Sequence, residues 1–459
     1  MYEQDTIVAP ATPPGQGAVA IVRLSGPRAI DILLRVWHQM RGGEIEPRRL
    51  ILGEIRDPAT GAAIDRALAV VMPAPASLTG EDVVELQCHG GTFIVRRVLG
   101  LAIAEGARMA ECGEFSRRAF LNGRMDLTEA EAVADLVAAQ GEGALRQALS
   151  QLSGALKERV DRLRREVIAV KAHLEVEIDF SDEDIKLPGR EQVAADLGRL
   201  IEDIRILHDS FARGRLMRQG ARAAIVGKPN AGKSSILNLL LGIERAIVTP
   251  IPGTTRDVIE DSIQLGPYPL VLQDTAGIRD GADQIERIGV ERTLHHAGEA
   301  DLLIAVFDSS RPFEDEDLRV LELGKSRPGV ALLNKSDLPA VLSLECLREN
   351  GLMMPALSFS AIRAEGVTTL RDELGRTLEA LAGDGHGNDV AVSRERHRQA
   401  LARAIVALDT ARAGVQRGMP PEIVAVDVAI AAEALGSITG EVSSEDVLDA
   451  IFAEFCIGK

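Results

Sequence analysis

Apolar and polar positions change rhythm three times along the chain. Up to about residue 120 they come as short β-like runs broken by Gly and Pro, as in GAVAIVRLSG (17–26), RALAVVM (66–72) and DVVELQC (82–88). From 121 to 218 apolar residues recur at helical spacing: Val133, Leu136 and Val137, then Leu145, Leu149, Leu152, Leu156, Val160, Leu163 and Val167. Thr128 followed three residues on by Glu131 fits a capping box, which predicts Thr128 as an N-cap. Pro188 and Gly189 break that helical stretch, and a second one follows to 217. The run 221–226 reads as a buried strand leading to a glycine loop and a helix. Strand-like runs return at 270–273, 302–307 and 330–333 with helical segments between, the signature of a parallel sheet flanked by helices. GDGHGND (383–389) is linker-like, and helical texture resumes from about 391. Ser443 and Asp446 suit the start of a last helix carrying Val447, Leu448, Ile451 and Phe455.

The predicted architecture is therefore multidomain, α/β and α. An N-terminal α+β domain covers 1–120. A helical domain is split into 121–218 and 381–459. A doubly wound P-loop domain, 219–380, is inserted between the halves.

The chain has 459 residues, which suits roughly three domains at about 150 each. Its 52 Lys and Arg against 69 Asp and Glu give a formal charge of −17. That composition excludes a collagen, a wholly disordered chain and a disulfide-stapled mini-protein. No apolar run approaches the ~18 residues of a membrane span, and the N-terminus lacks the pattern of a secretory signal. Cys88, Cys112, Cys346 and Cys456 form no CxxC pair, so neither a zinc ribbon nor a disulfide framework is expected, and a cytoplasmic location is. The acidic balance argues against general coating of nucleic acid but leaves room for a local basic patch.

The sharpest chemistry lies at 227–234, where GKPNAGKS matches GxxxxGK[ST] completely between a strand and a helix. Glycines let successive backbone N–H groups face one concavity, and the helix N-terminus favours phosphate. Lys233 suits the β- and γ-phosphates and Ser234 suits Mg²⁺; Asn230, Ala231, Gly232 and Ser235 complete the loop. Asp274, Thr275, Ala276 and Gly277 end a strand, as a Mg²⁺-water carboxylate and a γ-phosphate-sensing amide should. Asn334, Lys335 and Asp337 end another. A carboxylate there accepts from guanine N1–H and N2–H₂, a donor pair that adenine lacks. Ser360 and Ala361 suit the loop closing on guanine O6. Thr254 and Thr255 lie between the P-loop and DTAG, where a switch threonine belongs. Four short motifs in this order read as a GTPase. Ile278 stands where Ras-like enzymes keep a water-orienting Gln, so water must be oriented from the acid-rich segment 279–292, and Glu286 is the chosen residue.

GKPNAGKSS, GTTRD, DTAGIRD with IERIGVER, and the terminal FCIGK together resemble the MnmE (TrmE) family of tRNA-modifying GTPases. The resemblance spans essentially the whole chain, including TIVAPATPPGQGAVAIVRLSG, TGEDVVELQCHGG and GEFSRRAFLNGRMDLTEAEAVADL. It implies a folate-binding, dimerising N-terminal domain, a split helical domain and an inserted Ras-like G domain. It implies a homodimer that works with the FAD-dependent flavoprotein MnmG (GidA) and no membrane. The product would be a carboxymethylaminomethyl or aminomethyl group at C5 of the wobble uridine in certain tRNAs, built with a tetrahydrofolate one-carbon unit. The family's nucleotide contacts add Thr249, Pro250, Ile251, Pro252 and Gly253. Its K⁺ ligands fall on Asn230, Thr249, Ile251 and Thr254, its Mg²⁺ ligands on Ser234 and Thr255, and its catalytic glutamate on Glu286. Folate contacts fall on Arg23, Glu85, Arg124 and Lys459; Arg124 stands where the family also uses Lys. The alternative reading is an RNA-binding ribosome-assembly or signalling GTPase switch. A dynamin-like assembly GTPase would need a membrane-binding element, and none is seen.

Several other signals have bland readings. Gly15-x-Gly17-x-x-Ala20 follows two prolines and precedes a strand, so it is not read as a dinucleotide fingerprint. Cys456 is either a reactive thiol or a small residue beside Phe455. His89 reads as a structural or loop histidine. The acidic run 177–185 reads as a solvated helix end, and the basic runs 157–165 and 213–222 as exposed helix charge.

Overall fold

The structure, a computed structural model, describes residues 5–40, 42–179, 188–243, 262–274, 300–383, 390–442, 444–453 and 455–458. The early β-like runs form one seven-stranded sheet: β1 (Ile7–Pro10), β2 (Gly17–Ser25), β3 (Trp37–Gln39), β4 (Ile51–Arg56), β5 (Ala63–Met72), β6 (Val83–Gly90) and β7 (Arg108–Met109). Its order is β3-β4-β5-β6-β2-β1-β7. Alternation along β2 and β6 sends Val22, Leu24, Val84 and Leu86 into a core with Ile32 and Leu33 of helix Ala29–Val36 and Val98 of helix Thr92–Ala104. Trp37 is buried, and its Nε1 donates to Ala67 O at 3.0 Å. The indole lies so close over β4 that a Cβ at Gly53 would sit 2.2 Å from it. Helix Glu114–Leu121 carries Arg118, which is buried and bound to Asp5, Glu81 and Glu114.

Four long helices form a second core: Ala155–Asp179, Arg190–Asp209, Glu395–Gln416 and Pro421–Thr439. Val160, Leu163, Leu197, Leu401, Leu408 and Leu435 meet inside it. Two of these helices precede the α/β unit in sequence and two follow it, so the bundle closes only when both ends of the chain meet. One expectation needs correction here. The capping box of helix Leu127–Ala138 is Asp126 with Glu129, not Thr128 with Glu131: Glu129 N donates to Asp126 Oδ1 at 2.9 Å, and Asp126 N to Glu129 Oε2 at 2.8 Å. Glu131 is instead buried against Arg396, whose Nε donates to it at 2.6 Å. In helix Glu142–Leu152, Leu145 and Leu149 face outward while Gly143, Ala144 and Ala148 face in, because small residues admit a close neighbour there.

That neighbour is the α/β unit. Its strands are β8 (Ala221–Gly227), β9 (Ser262–Leu265), β10 (Tyr268–Asp274), β11 (Leu302–Asp308), β12 (Gly329–Asn334) and β13 (Ala356–Ser358). The order is β13-β12-β11-β8-β10-β9, all parallel except the edge strand β9. A Cβ at Gly143 would lie 2.1 Å from Pro267 O in the β9–β10 turn, and one at Gly214 would lie 2.2 Å from Val392 O. Helix Phe211–Gln219 runs directly into β8, and its basic residues are not the free surface charge expected from the sequence. Arg213 is buried, Arg215 pairs with Asp301 at 2.7 Å, and Arg218 pairs with Asp135 at 2.7 Å. Among the described residues no helix is long and apolar enough to cross a membrane.

Candidate functional site: a guanine-nucleotide pocket and a polar sheet face

Chain order reverses beside β8: β10 follows it on one side and β11 on the other. Ligands of open α/β sheets bind at the carboxyl ends of strands at such a point. The loop 227–232 leaves the end of β8 there and enters helix Lys233–Ile243. Asn230 has φ +60° and Gly232 φ +101°, left-handed backbone that turns the loop around a concavity. A Cβ at Gly232 would sit 2.1 Å from Asn334 Nδ2, so glycine is required on two counts. Lys233 Nζ donates back to Gly227 O at 2.9 Å and Lys228 O at 2.8 Å, which holds the ammonium over the loop's mouth. Ser234 and Ser235 open the helix as exposed hydroxyls.

Asn334 joins the loop to the base-reading side. Its Nδ2 donates to Ala231 O at 2.7 Å, and its Oδ1 accepts from Ala361 N at 3.1 Å. Asp337 Oδ1 accepts from the Ser360 hydroxyl at 2.6 Å. That hydrogen bond is the main reason its carboxyl sits below the usual carboxylate value. Asp337 is thus an oriented anion, as the pairing with guanine N1–H and N2–H₂ requires. Lys335, at φ +65°, reaches Asp308 Oδ2 at 2.6 Å. Burial pushes the Asp308 carboxyl up, but Lys335 and Ser310 more than reverse it, so Asp308 stays charged. Asp308 and Lys228 also belong to the site, although the sequence motifs assign neither a role. The latter bridges the P-loop to Glu314 at 2.7 Å and Asp317 at 2.5 Å on helix Asp315–Gly324 and its cap. The only signal for Asp308 was its place at the end of a buried strand.

On the N-terminal sheet, Arg23 of β2 and Glu85 of β6 stand directly opposite and pair at 2.8 Å. The C-terminal tail joins them: Arg23 Nη1 donates to Gly458 O at 3.3 Å, and Ile457 bridges to Cys112. Gly458 has φ +96°, and a Cβ there would lie 2.0 Å from Pro10 O. Cys456 is half-buried, and its carbonyl accepts from Gly113 N at 3.4 Å. Arg124 lies by Gly80, with its Cγ 3.2 Å from where a Cβ would be. Thr249, Pro250, Ile251, Pro252, Gly253, Thr254, Thr255, Thr275, Ala276, Gly277, Glu286 and Lys459 lie outside the described residues, and Asp274 is described only as the backbone end of β10.

The chain matches the family model of the MnmE helical domain over residues 127–456 and that of the GTP-binding protein TrmE N-terminus over 6–124. It is 42% identical over 459 residues to the tRNA modification GTPase MnmE of Geobacter sulfurreducens, covering all of both chains. With the protein of the same name from Heliobacterium modesticaldum it shares 45% over 464 residues, covering 99% of each. Among solved structures, the G domain of the T. maritima FeoB iron transporter is 26% identical over 35% of this chain and 98% of its own, with a TM-score of 0.26. A P-loop tied to an NKSD base-reading loop, set between the halves of a helical bundle, and identity of this extent over full length lead to one conclusion: the chain belongs to the MnmE family of tRNA modification GTPases.

Proposed function

We propose that this chain is a K⁺-dependent GTPase of the cytoplasm whose nucleotide cycle drives modification of the wobble uridine of certain tRNAs. It acts as a homodimer with the flavoprotein MnmG (GidA) and adds an aminomethyl-type group at C5 from a tetrahydrofolate one-carbon unit. The observation that carries the reading is that one chain holds both a P-loop hydrogen-bonded to Asn334 and a second polar site. At the latter, Arg23, Glu85 and the C-terminal tail converge.

The described P-loop residues support the phosphate part of the reading. The left-handed turn at Asn230 and the absent side chain at Gly232 leave a cradle of backbone amides for phosphate. Ser234 and Thr255 would hold Mg²⁺, and Asn230, Thr249, Ile251 and Thr254 would hold K⁺. Bound there, the cations would offset negative charge on the phosphates, as an arginine finger does elsewhere. Lys233 stabilises the same charge and Glu286 orients the attacking water. The Arg23–Glu85 pair offers a donor and an acceptor side by side to a reduced folate, with Arg124 and Lys459 as further contacts.

Two measurements on the purified chain test this. GTP hydrolysis is expected to be faster in K⁺ than in Na⁺ at equal ionic strength, and equal rates would remove the cation from the scheme. Equilibrium dialysis is expected to show a reduced folate bound by wild type and weakened by Arg23→Ala. No binding to wild type would favour an RNA-binding assembly or signalling switch instead.

A further inference from the structure

Both nucleotide motifs send a lysine to one short segment. Residues 308–317 leave the end of β11, the strand that lies between β8 with its P-loop and β12 with its NKSD loop. Lys335 reaches Asp308 at 2.6 Å, and Ser309 N donates to Asn334 O at 2.9 Å. At the far end of the segment, Lys228 reaches Asp317 at 2.5 Å and Glu314 at 2.7 Å. The first tie serves a motif that already reads guanine. The second has no assigned role, because Lys228 follows the first glycine of GxxxxGK[ST], where the pattern admits any residue.

The anchor for Lys228 is firmly built. Helix Asp315–Gly324 buries Val320 and Leu321 in one core with Val226 of β8 and Phe307 of β11. Across its first turn, Asp317 Oδ2 accepts from Glu314 N at 3.0 Å, which fixes the carboxylate. That carboxylate is 3% exposed and so needs a counter-charge, which Lys228 supplies. Burial pulls the Lys228 ammonium down, but Asp317 and Glu314 more than reverse it, so it stays charged. The backbone of the same residue faces the pocket. Lys228 O accepts from Lys233 Nζ at 2.8 Å and from Ala231 N at 3.3 Å. One residue thus grips the helix with its side chain and aims the phosphate-binding ammonium with its carbonyl.

We infer that Lys228 is a positioning residue for GTP: pinned by Asp317, it holds the first turn of the P-loop so that the Lys233 ammonium and the loop amides are in place before phosphate arrives. It acts through its own carbonyl and not by contact with the nucleotide. Without the pin, part of the binding free energy goes into ordering the loop, which raises KM. Once phosphate fills the loop, its own contacts hold the turn, so kcat is kept. Glu314 is half exposed and contributes less than Asp317. This role concerns nucleotide binding alone and is independent of the tRNA chemistry proposed above.

The test is steady-state GTP hydrolysis by the full-length protein, with ITP, which lacks the N2 amino group, as competitor and melting temperature measured on each variant. Lys228→Met is expected to raise KM for GTP about tenfold, near the lower end for a lost hydrogen bond between charged groups, with kcat within about twofold of wild type. Asp317→Asn keeps an acceptor for Glu314 N but removes the charge, so it should raise KM by a similar factor. The double variant strands no buried charge and should also raise KM about tenfold, rather than a hundredfold, because both changes cut one tie. Lys228→Arg keeps the charge and should recover most of the loss. Preference for GTP over ITP should stay at the wild-type ratio throughout, since the base-reading loop keeps its own tie to Asp308. An unchanged KM in Lys228→Met and in the double variant overturns the inference. So does a KM in the double variant that rises about a hundredfold, because the two residues then act separately. Loss of GTP preference together with a lower melting temperature in the double variant marks the pair as support for the fold and also overturns it.

Discussion

Removing the carboxylate of Glu131 tests how the helical bundle is tied. Glu131 is fully buried on helix Leu127–Ala138; Arg396 donates to it through Nε at 2.6 Å and Nη2 at 2.9 Å, and His397 Nε2 lies 3.0 Å away. Arg394 and Arg218 share Asp135 one turn along, at 2.8 and 2.7 Å. Glu131→Ala leaves Arg396 facing a site with no counter-charge. Breaking a buried pair in this way costs about 3–5 kcal/mol. At about 2–4 °C per kcal/mol for a unit of this size, the bundle transition should fall by about 10 °C. Differential scanning calorimetry on the full chain reads this as one component, because several units unfold. The double variant Glu131→Met with Arg396→Met should lose less than the two single changes summed, since it strands no charge. A Glu131→Ala transition within about 1 °C of wild type would show that the buried pair does not tie the bundle, because surface substitutions alone stay that small.

The same cluster sets an acid dependence. Burial pushes the Glu131 carboxyl up, but Arg396 and His397 hold it well below the usual range. Its contribution is therefore whole above the unfolded value of about 4.3 and is lost as pH falls below that. Burial and Arg396 keep the His397 imidazole below its ordinary value, so the folded state binds fewer protons than the unfolded one, and stability also falls as pH drops through about 6.5. Wild type should soften first between pH 7 and 5 and again below 4. Glu131→Ala should weaken the second step and keep the first.

Three further outcomes follow from the sites. Gly232→Ala puts a Cβ where Asn334 Nδ2 lies and forces left-handed backbone on alanine, so GTP affinity should fall at least tenfold by titration with a fluorescent GTP analogue; unchanged affinity would contradict the tight loop. Asp337→Asn turns one acceptor into a donor. It should weaken GTP and favour XTP, whose C2 oxygen accepts that hydrogen bond, and competition binding that still prefers GTP would contradict the guanine assignment. Gly458→Ala crowds Pro10 O, so the tail should leave Arg23, and reduced-folate binding should drop with hydrolysis unchanged; equal folate binding would separate the tail from that site.

Contiguous features were legible in the sequence. The P-loop and the NKSD and SA segments each carry their chemistry within a few residues, and the structure brings Ala231, Asn334 and Ala361 into contact. The strand runs at 17–26, 66–72, 82–88 and 221–226 likewise became β2, β5, β6 and β8, because alternation or continuous burial leaves a local trace. Long-range pairing leaves none. Glu131 meets Arg396 across 265 positions, and that distant partner took the glutamate away from the nearer capping role. Two overlapping boxes, Asp126–Glu129 and Thr128–Glu131, look alike in sequence, and only burial decides between them. Leu145 and Leu149 keep the helical period the spacing predicts, while the face that packs is chosen by how closely the next unit approaches. Arg215 and Arg218 looked like surface charge because Asp301 and Asp135 come from elsewhere in the chain.

In the proposed function, GTP hydrolysis by this chain drives a change in tRNA. Nucleoside mass spectrometry of total tRNA from cells lacking the chain tests it most directly, with wild type or Glu286→Ala restored at equal levels. The aminomethyl-type wobble uridines are expected to be lost in the deletion, recovered with wild type and not recovered with Glu286→Ala. Unchanged wobble uridines in the deletion, with altered ribosomal-subunit profiles, would contradict it and leave a GTPase switch acting elsewhere.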